Sequence, residues 1–185
     1  MTRPDPPLQI RLHGRGGQGV VTSAELLSTA AFLEGRHAQA FPSFGSERTG
    51  APVVAFCRIG DAPIRTHEPI AEPDVLLIQD PTLLHQADLF AGLPEHGVII
   101  INSTRDAQAL GLAPLAATHR IVTVPATELA REHLGRPLPG APLLGAFAAI
   151  TGVLSVDALE RAIAQTFSGA VAAGNAAAAR AAYDL

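Results

Sequence analysis

The apolar positions of this chain change period several times, and each change marks an element. In LQIRLH (8–13), Leu8, Ile10 and Leu12 alternate with Gln9, Arg11 and His13, the period of a strand. From residue 20 the period becomes helical: Val20, Ala24, Leu27 and Ala31 recur, Leu26, Ala30 and Leu33 widen the stripe, and Gly35 supplies a stop. HAQAF (37–41) predicts a short second strand, and PSFGSERTGA (42–51) a loop of polar and small residues. PVVAFCRI (52–59) reads as a strand. Gly60-Asp61 then turns the chain, so that APIRTH (62–67) pairs back as a hairpin.

Three later runs, DVLLIQD (74–80), GVIIINS (97–103) and HRIVTVPA (119–126), are nearly continuous in apolar residues, as expected for parallel strands buried on both faces. Pro81 ends the first, and TLLHQADLFAGL (82–93) follows as a helical connection. The remainder reads as helices: ATELAREHLG, LLGAFAAITG (143–152), SVDALERAIAQTF (155–167) and an Ala-rich NAAAARAAYDL. Ser155 suits a cap there, and Asp157 suits the positive end of the helix. Alternating strands and helices predict a three-layer α/β/α sandwich with a mostly parallel, Rossmann-like sheet, and residues 1–185 read as one domain.

Composition narrows the class without naming an activity. Of 185 residues, 48% are hydrophobic and 16% charged, which excludes a disordered chain. Net charge is −4 and all 13 basic residues are Arg, scattered along the chain, so nucleic acid and anionic membranes are poor partners. No apolar run is long enough for a membrane span, and MTRPDPPLQI carries no secretory signal, which points to the cytoplasm. A single Cys cannot form an internal disulfide or supply the thiolates of an iron–sulfur cluster. The seven His form no ligand pair at metal-binding spacing, and a chain without Lys has no P-loop. Cys57, within an apolar strand, reads as a small core residue rather than a nucleophile.

The chemistry concentrates in GRGGQG (14–19), where Gly14, Gly16 and Gly19 fall at G-x-G-x-x-G between a strand and a helix. Such a loop lets a ligand approach the backbone and presents helix-start amides to a phosphate. The nicotinamide version also needs an acid at the end of the second strand to hold a ribose. Here that strand ends Gln39-Ala40-Phe41, and Glu34 lies at the end of the helix instead. The glycines equally allow the helix to pack closely on the sheet. Ser43, Ser46, Glu47, Arg48 and Thr49 form a second polar cluster, where Arg48 could grip a phosphate or carboxylate or bridge to a neighbouring chain. Asp80 and Asn102 end two parallel strands, where open α/β sheets bind ligands, or else cap the turns they enter.

The run from Gly14 to Ile64, above all GGQGVVT followed by AQAFPSFGSERTGAP, resembles the gamma subunit of the 2-oxoacid:acceptor oxidoreductases, the family of pyruvate:ferredoxin oxidoreductase. VLLIQDPTLL (75–84), GVIIINS and LLGAFAAITGVLSVDALERAI (143–163) fit in order, so the likeness covers nearly the whole chain. It implies an accessory subunit of an enzyme that oxidatively decarboxylates a 2-oxoacid to an acyl-coenzyme A. Thiamine diphosphate, Mg and iron–sulfur clusters are then expected in alpha, beta and ferredoxin-like partner subunits. It further implies that Gly14, Arg15, Gly16, Gly17, Gln18 and Gly19 approach the diphosphate of coenzyme A, with Ser46 and Arg48 nearby. Members often carry an Asn before the LGAF helix, where this chain has PGAPLLGAF, so any contact made through it is in question. Two other readings stand beside this one: a purely structural subunit, and a stand-alone NAD-binding enzyme.

Overall fold

The computed structural model describes residues 5–43, 49–86 and 88–185. Its centre is a six-stranded sheet in the order β2-β3-β1-β4-β5-β6. The strands are β1 (Leu8–Arg15), β2 (His37–Pro42), β3 (Pro52–Gly60), β4 (Val75–Ile78), β5 (Val98–Asn102) and β6 (Arg120–Val124). The pairs β1–β4, β4–β5 and β5–β6 are parallel, whereas β3 runs antiparallel to both β1 and β2.

One face is covered by helices α1 (Val20–Leu33) and α4 (Gly140–Thr151), against which α3 (Ala126–Leu134), α5 (Val156–Thr166) and α6 (Gly169–Tyr183) form a further helical group. Ile10, Leu12, Cys57, Leu77 and Ile100 point into this side of the core. On the other face Leu76, Ile78, Ile99 and Ile101 pack on Leu83, Leu89, Leu110 and Leu112. Both faces of β4 and β5 are therefore dry, which is why their sequences are almost uninterrupted in Val, Leu and Ile. The outer layer on the second face is thin. It consists of a 3-10 turn at Pro81–His85, further turns, and the single-turn α2 (Ala113–Ala116). Among the described residues no helix is long and apolar enough to cross a membrane.

Two predicted elements do not form. Residues 62–67 make no hairpin, because β3 already pairs with β1 along one edge and β2 along the other. The helix expected over 82–93 stops after a 3-10 turn. Gly92 there adopts φ 78° where a Cβ would strike the backbone of Ala71, and the carbonyls of Leu89 and Ala91 each accept from Arg11 Nη2 at 2.9 Å. Two helices begin earlier than their apolar patterns suggest: α4 at Gly140, with Pro142 tolerated in its first turn, and α6 at Gly169.

Candidate functional site at the glycine loop

The loop after β1 is built by division of labour among its glycines. Gly14 is still in the sheet opposite Val53, and a Cβ there would stand 2.6 Å from Val20 Cγ2 and 3.2 Å from Gln79 Cβ. It is the glycine that lets α1 start close to the sheet. Gly16 donates its N–H to Ala51 O at 2.8 Å and accepts from Gly50 N at 3.2 Å, which ties the loop to the segment before β3. Gly17 and Gly19 have φ of 93° and 73°, a region other residues enter only with strain, and a Cβ on either would meet nothing within 4 Å. Their outer side is open.

Gly19 is the N-cap of α1 and offers no side-chain acceptor, so the first-turn amides are left for an external partner. Ser23 N and Ser23 Oγ both donate to Gly19 O, at 2.9 and 3.0 Å.

Arg15 and Gln18 turn inward on the loop itself. Arg15 Nε lies 3.3 Å from Asp80 Oδ2, Arg15 Nη2 donates to Thr82 Oγ1 at 2.8 Å, and Arg15 Nη1 to Gly50 O at 3.1 Å. Gln18 Oε1 accepts from Arg15 N at 2.8 Å while its Nε2 donates to Asp80 Oδ2 at 2.9 Å. Asp80 is 9% exposed. Burial alone would raise its carboxyl pKa, but hydrogen bonds from Thr82 and Gln18 and the charge of Arg15 outweigh that and hold it below the ordinary carboxylate range. It is therefore an anion with its partners already in place, and unsuited to exchanging protons with a substrate near neutrality.

Asn102 is likewise committed. Its amide donates to Gln79 O and Thr127 Oγ1 at 2.9 and 2.8 Å, and its carbonyl accepts from Thr127 N at the start of α3. Both strand-end residues therefore cap and brace, and they do so at the carboxyl ends of parallel strands, beside the loop. Ser46 and Arg48 lie outside the described residues.

Two cavities flank the loop. One, of about 330 Å³, has mostly apolar walls, with Leu26, Leu134, Phe167 and Val171 among them, and Gly17, Gly19 and Arg136 also line it. The other, of about 500 Å³, has walls as polar as they are apolar, with Gln79, Asn102, Arg105, Thr127 and Arg131 among its lining residues. Gln18 lines both. Sequence reasoning did not single out Gln79, Ser23 or Arg136. The polar pair Gln79-Asp80 closing an apolar strand was the available signal for the first.

The nicotinamide reading fails on topology. β2 is separated from β1 by β3, so its end lies two strand spacings, roughly 10 Å, from the loop's strand. Glu34 sits at the far end of the 14-residue α1, where it accepts from Ser155 N and Ser155 Oγ and joins α1 to α5.

The site is thus a glycine loop at the carboxyl edge of a doubly covered α/β sheet, with its nearby carboxylate already paired. The family described as pyruvate ferredoxin/flavodoxin oxidoreductase matches residues 9–185. The chain is 47% identical over 177 residues to the pyruvate/ketoisovalerate oxidoreductases common subunit gamma of Thermococcus litoralis, covering 96% of each. The crystal structure of pyruvate oxidoreductase subunit PORC from Thermotoga maritima is 36% identical, with TM-score 0.85 and 97% of each chain covered. A 2-oxoglutarate:ferredoxin oxidoreductase from Magnetococcus marinus, solved with 2-oxoglutarate, coenzyme A and succinyl-CoA bound, shares the fold. Its TM-score is 0.75 at 17% identity, over 97% of this chain and 31% of that longer one. The chain belongs to the pyruvate ferredoxin/flavodoxin oxidoreductase family, in its gamma-subunit branch.

Proposed function

We propose that this chain is the accessory gamma subunit of a 2-oxoacid oxidoreductase and that its glycine loop receives the diphosphate of coenzyme A. The observation that carries the second part is the pairing of Gly17 and Gly19. Both are in a left-handed conformation, open on the outside, and placed at the uncapped start of α1, where they line the cavity of about 330 Å³. Because Arg15 is engaged with Asp80, Thr82 and Gly50, the loop offers an anion its backbone amides rather than a side-chain charge.

The decarboxylation belongs to partner alpha and beta subunits carrying thiamine diphosphate and Mg, with electrons leaving through ferredoxin-like iron–sulfur subunits, in the cytoplasm. Coenzyme A, when bound, supplies the thiol that accepts the acyl group. This chain's part is to hold its anionic portion. Pyruvate and branched-chain 2-oxoacids are the substrates in view, since the Thermococcus relative is named as common to a pyruvate and a ketoisovalerate enzyme. One gamma subunit serving two enzymes supports a role away from substrate selection.

The test is the KM for coenzyme A in the assembled enzyme with Gly17→Val. Strain and crowding at the open face should raise it about tenfold or more while the KM for the 2-oxoacid stays put. An unchanged coenzyme A KM would return the chain to a purely structural role.

A further inference from the structure

Gln79 and Asp80, consecutive residues leaving β4, both reach the start of α1, by separate routes. Gln79 Nε2 donates to Ser23 Oγ at 2.8 Å, which in turn donates to Gly19 O. Asp80 Oδ2 accepts from Gln18 Nε2, whose other end accepts from Arg15 N. Asp80 is itself fixed by Thr82, through its N–H at 2.9 Å and its hydroxyl at 2.6 Å. The Gln18 carboxamide has only one productive orientation here. Flipped, it would set N–H against N–H at Arg15 and oxygen against oxygen at Asp80.

We propose that Gln18 and Asp80 form a polarity-matched latch that holds Gly17, Gly19 and the first-turn amides of α1 in the direction from which they receive an anionic ligand. Both are positioning residues, and the proposal rests on the reading of the loop as a diphosphate cradle. Gly17 and Gly19 have no side chains and open space where a Cβ would be, so nothing of their own fixes their path. The latch supplies that order from β4, a strand buried along its whole length, before the ligand arrives. Gln79, 2% exposed, adds a second tether, and its Oε1 has no hydrogen-bond partner among the described residues.

The test uses the full-length chain, free and assembled with its partner subunits, carrying Asp80→Asn, Gln18→Glu, or both. Asp80→Asn opposes two amide donors and Gln18→Glu opposes two carboxylates. The double variant restores a donor facing an acceptor while the residue at 18 still accepts from Arg15 N. Each single variant should speed amide hydrogen exchange about tenfold at Gly16, Gln18 and Ser23, the amides of this region that are hydrogen-bonded within the fold. Each should also raise the coenzyme A KM about tenfold, with kcat at saturating coenzyme A within about twofold of the parent. Both readouts should recover part of the way toward the parent in the double variant, which restores the hydrogen bond between positions 18 and 80 but not the Arg15–Asp80 ion pair.

Unchanged exchange in the single variants, or a double variant no better than the worse single, overturns the latch. Faster exchange with an unchanged coenzyme A KM overturns its role toward the ligand. Gly17→Val, which alters neither latch side chain, then separates two failures. A KM unmoved by it as well means the cradle reading is wrong, whereas a raised KM means the cradle holds and the latch does not orient it.

Discussion

Arg11 Nε donates to His13 Nε2 at 3.0 Å, two residues along β1 on one face of the sheet, and both side chains are buried. To accept that bond the imidazole must be neutral at Nε2. Burial, and secondarily the Arg11 charge, push its pKa down to about 3. In the unfolded chain the same group titrates near 6.5. The folded state thus resists a proton that the unfolded state takes up. The associated stability is complete above about pH 6.5 and drains away as pH falls toward 3, amounting to about 2 kcal/mol by pH 5. His13→Gln keeps an acceptor and removes the titration. Urea unfolding at pH 7 and pH 5 should show the parent losing about 2 kcal/mol more than this variant. Equal losses would mean His13 is protonated in the fold or not confined there.

Arg11 binds more than its neighbour. Its guanidinium donates to the carbonyls of Ile70, Ala71, Leu89 and Ala91, clamping two irregular segments onto the sheet. Arg11→Met fills similar space but leaves those carbonyls and the His13 ring without their donor. The expected cost is at least about 3 kcal/mol, read from the urea midpoint at constant m-value. Arg11→Lys should recover part of it, since an ammonium cannot reproduce the planar fork.

These contacts also explain what the sequence could and could not tell. The buried strands β4 and β5, the helical stripe of α1 and the loop between β1 and α1 are written in local periodicity, and they stand where that periodicity put them. The alternation in LQIRLH, however, ordinarily marks a strand with one wet face, and here the polar face is covered. Nothing local signals that Arg11 will spend its donors on carbonyls 59 to 80 residues away. The same long-range pull prevents a helix across 82–93. At the site, glycine spacing located the loop but could not divide Gly14, which packs, from Gly17 and Gly19, which open outward. Nor could it show that Arg15 and Gln18 face inward.

Close helix packing supplies a second test. A Cβ at Gly145 in α4 would collide with the carbonyl of Ala179 in α6, and backbone cannot step aside as a flexible side chain can. Gly145→Ala should cost about 1–3 kcal/mol or more through separation of the two helices. Gly152, the C-cap of the same helix, has φ 62° and open space around it. Gly152→Asn should cost less than about 1 kcal/mol, because Asn tolerates that conformation. Thermal unfolding of both variants compares them directly, and similar losses would mean that α4 and α6 do not approach this closely.

Cys57 gives a probe that needs no substitution. It lies in β3 with no exposed surface, facing Ile10, Leu12 and the helices. Burial raises its thiol pKa well above the usual value, only partly offset by the Arg58 charge beside it. Thiolate is the reactive species, so the native thiol is protected twice, by access and by protonation. With a stability of about 5–15 kcal/mol the open fraction is far below one in a thousand. Iodoacetamide at pH 8 should therefore label the folded chain very slowly, and the labelling rate should climb with urea along the same curve as the loss of circular dichroism. Rapid labelling in the absence of urea, with circular dichroism intact, would show that β3 opens locally between β1 and β2 and that the sheet is not continuous at this position.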